Sequence, residues 1–188
     1  MDRRQFIQAG SAASVLGVAA GCASTGGGSG AGGNVVVVGG GYGGATAAKY
    51  IRMWSEGRVN VTLVEPNDSF ISCPISNLVI GGSKQMADIT TPYDNLARRH
   101  GVKIIKDRAV SIDAGKRTVT LAGGTVLPYD RLVLSPGIEF MWDALPGLKK
   151  PGAQDKVLHS WNAGPQTVAL RRQLEAMPDG GVYALTIP

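Results

Sequence analysis

Cysteine, histidine and long apolar runs are all scarce in this chain. Cys22 and Cys73 are the two thiols, and His100 and His159 the two imidazoles, among 188 residues. The cysteines fall in contrasting contexts, one beside a Gly/Ser-rich stretch and one well inside the folded region, so a structural disulfide between them is not expected. No Cys-x-x-Cys is present, and neither histidine has a cysteine, acid or second histidine at metal-ligand spacing, so no metal site is expected. His100 precedes Gly101 at an expected helix end, where a cation suits the dipole, and His159 lies in a loop-like segment. Trp54 and Trp142 are expected to serve packing. No apolar run reaches the roughly 20 residues that a membrane helix needs. Lys and Arg exceed Asp and Glu by 19 to 14. They are scattered apart from pairs such as Arg98-Arg99 and Arg171-Arg172, which argues against the clustered basic face of a nucleic-acid binder.

What is present begins with a leader. Residues 2–8 read Asp-Arg-Arg-Gln-Phe-Ile-Gln, and a small-residue apolar stretch follows from Ala9 to Ala20. A charged segment with paired arginines and Phe-Ile, then a short apolar run, reads as a twin-arginine export signal over residues 1–22. That route carries folded proteins, so a cofactor could be inserted before export, and the expected destination is the periplasm. Setting aside Asp2, Arg3 and Arg4 leaves 17 basic against 13 acidic residues. Ala19-Ala20-Gly21-Cys22 resembles a lipoprotein cleavage site: Cys22 is either lipidated, which would anchor the protein to a membrane, or discarded with the leader. Ala19, where such sites usually have Leu, favours removal. Residues 23–33 form a Gly/Ser-rich linker, and the fold is expected to begin near Asn34.

Val35 to Val38 is a continuous β-branched run, as in a strand buried on both faces of a parallel sheet. Gly39-Gly40-Gly41-Tyr42-Gly43-Gly44 follows at once, and Ala45 to Ile51 reads as helix. In such a strand–turn–helix fingerprint Gly39 permits the tight turn, Gly41 lets the backbone approach a pyrophosphate, and Gly44 lets the helix pack closely on the strand. Backbone N–H groups at the helix start then face the phosphates. The next strand, Val59 to Val64, ends in Glu65, which lies 21 positions beyond Gly44. A carboxylate there can accept hydrogen bonds from both ribose hydroxyls of an adenosine and disfavours a 2′-phosphate.

Val102 to Val110 is expected to form a third strand, with Ala109-Val110 reaching the adenine end of a bound nucleotide. Residues 117–121 and 125–127 flank Ala122-Gly123-Gly124, a strong hairpin signal. Tyr129 to Leu134 then returns as a buried strand ending in Ser135-Pro136-Gly137. Residues 163–177 read as an amphipathic surface helix. This order of elements resembles the two-dinucleotide-domain flavoproteins related to disulfide reductases. The stretch from Val35 to about Ile187 is similar to the flavoprotein subunit of flavocytochrome c sulfide dehydrogenase. The likeness runs through Cys73-Pro74-Ile75-Ser76-Asn77, Tyr129-Asp130, Ser135-Pro136-Gly137-Ile138-Glu139 and Trp161-x-Ala163-Gly164-x-Gln166-Thr167.

The resemblance implies an α/β fold: a Rossmann-like, FAD-binding parallel sheet over residues 34–180 with a hairpin excursion. Residues 181–188 would open a second dinucleotide-like domain that this chain does not complete. It implies FAD rather than NAD at Gly39, Gly40, Gly41, Gly43, Gly44, Glu65, Val110, Ser135, Pro136 and Gly137, and a thioether from Cys73 to the flavin 8α carbon. Cys73 can also be read as a small buried hydrophobe or as a redox thiol, for which this chain offers no partner cysteine. The family implies sulfide as substrate and a cytochrome c subunit as partner. Its two redox cysteines lie beyond the matched region, so no catalytic residue is expected here and the 188 residues are expected to have little turnover alone. A sulfide:quinone oxidoreductase or type II NADH dehydrogenase shares the front-end fold, against which the export signal and the Cys-x-x-Ser-Asn segment argue. A non-catalytic nucleotide-binding or electron-carrier module is the remaining alternative.

Overall fold

A computed structural model describes residues 32–184. The export segment, Cys22 and the linker as far as Ala31 lie outside the described residues. In chain order the elements are β1 (Gly32–Val38), α1 (Tyr42–Trp54), β2 (Val59–Val64), β3 (Ser69–Ile71), α2 (Asn77–Ile80), β4 (Thr90–Pro92), α3 (Asp94–His100), β5 (Lys103–Ile105), β6 (Ala109–Asp113), β7 (Thr118–Leu121), β8 (Val126–Pro128), β9 (Arg131–Leu134), α4 (Ala153–Lys156) and α5 (Pro165–Ala176). Short 3₁₀ turns at Cys73–Ile75 and Met86–Ile89 precede α2 and β4.

Four strands form a parallel sheet in the order β5-β2-β1-β9. Val38 at the end of β1 is opposite Val64 on one side and Leu134 on the other. The valine run is apolar throughout because both faces of β1 are covered. Val35 and Val37 point into a core shared with Ala48 of α1, Val61 and Leu63 of β2, and Tyr93. Val36 and Val38 point the opposite way, onto Val64 and onto Val119 and Leu121 of the second sheet. That second sheet is the three-stranded antiparallel β6-β7-β8. Alternation within an all-valine strand thus serves two cores at once, the pattern of a sheet sandwiched between layers. The fold is α/β and Rossmann-like, with the hairpin excursion forming the layer opposite α1. A third cluster of Val79, Ile89 and Ala163 gathers Ile71, Cys73 and Met86 around it.

Several expectations need correction. The single strand over residues 102–110 is two strands in different sheets, Lys103–Ile105 and Ala109–Asp113. The break is Asp107: its N–H bonds back to Ile105 O at 3.0 Å, and its carboxylate accepts the amides of Arg108 and Gly123. A short carboxylate that caps neighbouring amides offers the backbone an alternative to the ladder. Trp54 is not a packing residue: it is 78% exposed at the end of α1, resting on Tyr50 with ring centroids 5.0 Å apart. α1 starts three residues earlier than Ala45, at Tyr42. β1, expected over Val35 to Val38, is longer, Gly32–Val38, with Gly32 paired to Val59. Residues 181–184, expected to begin a strand, form no regular element. The antiparallel ribbon of β3 and β4 was not anticipated.

These packing relations predict opposite outcomes for two large side chains. Leu63→Ala, at a fully buried position, should lower unfolding free energy by about 2–5 kcal/mol. Trp54→Ala should change it by no more than about 0.5 kcal/mol. Urea denaturation of both variants measures this, and a larger loss from Trp54→Ala would contradict the assignment of the core.

Candidate functional site

The glycine turn sits at the carboxyl end of β1, where neighbouring strands β2 and β9 connect in opposite directions along the sheet, the usual place for ligands in such folds. Gly39 has φ +93°, and a Cβ there would collide with the Ser135 carbonyl. Its N–H bonds to Val64 O at 2.9 Å. A Cβ on Gly44 would strike the Gly39 carbonyl oxygen and lie 3.3 Å from Val37 Cγ1, while one on Gly43 would come 2.9 Å from Ser135 Oγ. Gly41, at the N-cap of α1, is different: a Cβ there would meet nothing within 4 Å. The protein leaves the space above Gly41 open. The first bond of the helix is Ala45 N–H to Gly41 O at 3.0 Å, so the amides of Tyr42, Gly43 and Gly44 precede the ladder and are available to an anion.

Glu65 closes the other side. It is 8% exposed, and its N–H bonds to Ile105 O. Oε2 accepts the Gly40 N–H at 2.8 Å, and Oε1 accepts both the Asn67 backbone N–H at 3.0 Å and the Asn67 side-chain amide at 2.7 Å. An ionised carboxylate offers about four lone-pair sites, so one remains on Oε2. The expectation that Glu65 receives two ribose hydroxyls therefore requires the Asn67 amide to yield its place. Behind the turn the Tyr93 hydroxyl donates to Gly40 O at 2.9 Å. Burial, and then the negative charge of Glu65, push the Tyr93 phenol well above its ordinary value, so it stays a donor.

Ser135 and Pro136 are brought against the glycine turn, with Ser135 N–H bonded to Val38 O at 2.8 Å. Gly137, at φ +78°, continues that turn. Val110 sits at an irregularity between Ala109 and Ser111 in the antiparallel sheet and is 58% exposed. Cys73 is half-buried at the start of its 3₁₀ turn, with Sγ 3.8 Å from both Ile71 O and Asn162 Oδ1. Its segment is tied to the dinucleotide turn by a hydrogen bond between Tyr42 and Ser72, beside the edge-to-face packing of Tyr42 on Phe70. Ser76, fully buried, bonds to Cys73 O at 2.8 Å and to Ser160 O. Tyr42, Asn67, Ser72, Tyr93 and Asn162 were missed from sequence. Only Asn67, in a polar Pro-Asn-Asp turn just after the acid, carried a local signal.

Among the described residues no group of His, Cys, Asp and Glu is arranged to hold a metal ion, and no helix is long and apolar enough to cross a membrane. The open space at Gly41, the free amides at the helix start and the remaining Glu65 acceptor together fit an adenosine diphosphate moiety. A cavity of about 1340 Å³ lies apart from these groups, between Ile80, Phe140, Trp142, Leu170 and Leu174. Its lining residues include no Asp or Glu to read a ribose, and the glycine turn is the better candidate. His159 borders that cavity, and burial lowers its basicity.

A family model described as pyridine nucleotide-disulphide oxidoreductase matches residues 33–176. The mitochondrial sulfide:quinone oxidoreductase of Dictyostelium discoideum is 26% identical over 148 residues, 78% of this chain and 32% of that protein. The flavoprotein chain of the flavocytochrome c sulfide dehydrogenase of Chlorobaculum thiosulfatiphilum is 58% identical over 38 residues, 20% of this chain and 77% of that sequence. The crystal structure of the sulfide:quinone oxidoreductase of Aquifex aeolicus superposes with a TM-score of 0.61 at 27% identity, covering 76% of this chain and 31% of that one. The chain thus spans about a third of the length of the two sulfide:quinone oxidoreductases.

The phenol behind the turn has a measurable signature. Because folded Tyr93 keeps its proton where an unfolded tyrosine releases it near pH 10, stability that is complete below that value is lost as pH rises past it. Tyr93→Phe should flatten the decline in melting temperature from roughly pH 9 upward. A decline as steep as that of the unaltered protein would mean that Tyr93 does not titrate as its surroundings dictate.

Proposed function

The chain belongs to the pyridine nucleotide-disulphide oxidoreductase family, and from that membership we propose that it forms the FAD-binding part of an exported flavoprotein that oxidises sulfide and passes the electrons to a c-type cytochrome. Its relatives are flavin-dependent oxidoreductases that act on sulfide, which supports a flavin and a sulfide-derived electron pair. The carrying observation for the acceptor is the 58% identity to the flavoprotein chain of a flavocytochrome c. A flavin takes electrons as a pair and releases them singly, which suits a haem acceptor.

The roles of this chain's own residues follow from their positions. The amides opening α1 bind the pyrophosphate, with Gly41 leaving room for it. Glu65 reads the ribose through its open Oε2 site, and a second hydroxyl would replace the Asn67 amide. Ser135 and Pro136 press on the turn from β9 and keep its carbonyls and amides in place. Cys73, one residue beyond the Ser72 hydroxyl that meets Tyr42, is the residue proposed to join the flavin as a thioether. Covalent attachment is useful beyond the cytoplasmic membrane, where no free FAD replaces a lost cofactor. The twin-arginine leader at residues 1–22 supports periplasmic placement, and lipidation at Cys22 would add a membrane anchor. A quinone as the acceptor is the second reading, favoured by the likeness to two sulfide:quinone oxidoreductases over longer stretches.

Two measurements test these assignments. After acid precipitation, yellow chromophore should remain with the flavin-loaded protein and be lost to the supernatant in Cys73→Ser; chromophore released equally from both rules out the thioether. Because the 188 residues are expected to turn over little alone, the acceptor is tested in a longer protein that carries them together with a second dinucleotide-like domain: supplied with sulfide, it should reduce cytochrome c faster than a short-chain quinone, and the reverse order would transfer the assignment to the quinone reading.

A further inference from the structure

Gly40 occupies the fingerprint position at which a side chain is usually tolerated, yet here it is sealed on every side. Its N–H is held by Glu65 Oε2 at 2.8 Å and its carbonyl by the Tyr93 hydroxyl at 2.9 Å, both in buried surroundings. A Cβ on Gly40 would meet the Tyr93 ring itself, 2.5 Å from Oη, 2.7 Å from Cζ and 2.8 Å from Cε1. Tyr93 is 6% exposed and packs in the core with Val35, Val37 and Leu63. Its own N–H reaches Asp68 O, in the loop that follows Glu65, at 3.5 Å. One residue therefore touches the glycine turn with its side chain and the ribose loop with its backbone.

We propose that Tyr93 is a positioning residue for the nucleotide: its phenol holds the carbonyl of the Gly40–Gly41 peptide and its ring fills the place of a Gly40 side chain, which restrains the backbone about the Gly40 Cα, so that the N–H of the preceding Gly39–Gly40 peptide fills one site of Glu65 Oε2 and leaves the other aimed at the ribose. This rests on the nucleotide reading of the glycine turn. The two peptides that flank the Gly40 Cα are each held, the following one at its carbonyl by the phenol and the preceding one at its amide by a carboxylate. Without the phenol the following peptide can turn about the Gly40 Cα, since glycine has little intrinsic preference, and the Glu65 carboxylate loses the fixed position of its Gly40 donor. The same ring explains why residue 40 is glycine: the phenol takes the volume that any side chain there would need.

The test is FAD and FMN titration of the 188-residue chain and its variants. FMN lacks the adenosine that Glu65 would read. Tyr93→Phe should weaken FAD by about 2- to 12-fold, the worth of one neutral hydrogen bond, and leave FMN unchanged. In a Glu65→Ala background the same substitution should have no further effect, because the relay ends at the missing carboxylate. A merely structural role for Tyr93 would give equal losses for both ligands and in both backgrounds, and that result overturns the inference. Should Tyr93→Phe fail to fold, a steric cycle replaces it. Gly40→Ala should abolish FAD binding in the otherwise unaltered chain and add little to the loss caused by Tyr93→Leu; equal losses in the two backgrounds would reject the proposal. If the unaltered chain binds no FAD at all, the nucleotide reading fails and this inference fails with it.

Discussion

Everything in the site depends on how closely three backbones meet at the end of β1. The Gly39 carbonyl lies where a Gly44 Cβ would have to be, and the Ser135 carbonyl lies where a Gly39 Cβ would have to be. Strand, helix and the β9 turn are thus in contact through backbone atoms with no side chain between them. That approach lets α1 begin directly over the carboxyl edge of the sheet, and so places the amides of Tyr42, Gly43 and Gly44 around one point. A single methyl group at either glycine would force the helix away from the strand and disperse those donors. The constraint is steric before it is electrostatic.

The apolar layers make such an approach affordable. Val35 and Val37 serve the core beneath α1 while Val36 and Val38 serve the antiparallel sheet, so β1 is clamped from both faces and cannot shift to relieve crowding at its end. Glu65 is held by the same arrangement: it directly follows β2, its amide joins Ile105, and its carboxylate is supplied with donors by Gly40 and Asn67. A charge that is 8% exposed would be costly without partners. Three donors already occupy it, which reduces its capacity for a ligand. One Oε2 site stays open, and a second incoming donor would have to take the place of the Asn67 amide.

Sequence reasoning reached the features that are local in the chain. The strand–glycine–helix order, the acid after β2 and the hairpin around Gly123 are each specified within a few residues, and each takes the predicted form. The separation of β5 from β6 was only hinted at by the weak β propensity of Lys106 and Asp107; the decision rests on Asp107 capping Gly123, a contact across 16 positions. Trp54 was misplaced because a tryptophan at the end of an otherwise core-facing helix carries no sign of which way it turns. Tyr93 was invisible for a related reason. Its partners are Gly40, 53 positions away, and the Glu65 loop, and nothing about Pro92-Tyr93-Asp94 distinguishes a hydroxyl that orders a distant turn from one that faces water.

The Cys73 segment obeys a different logic from the glycine turn. Its 3₁₀ turn and α2 have too few residues for an autonomous core, and they are steadied from outside, by Ala163 in the cluster of Val79 and Ile89, by Ser160 accepting from Ser76, and by Arg171 of α5 donating to Ile80 O at 3.2 Å. Thr167, fully buried, caps α5 through the Gly164 N–H. Ser160, Ala163 and Arg171 thus form the surface against which the cysteine segment is set. Asn162 stands within that surface, 3.8 Å from the thiol. The position of Cys73 relative to the glycine turn is thus determined from two directions, by Tyr42 through Ser72 at the start of α1 and by the 160–171 segment at its back.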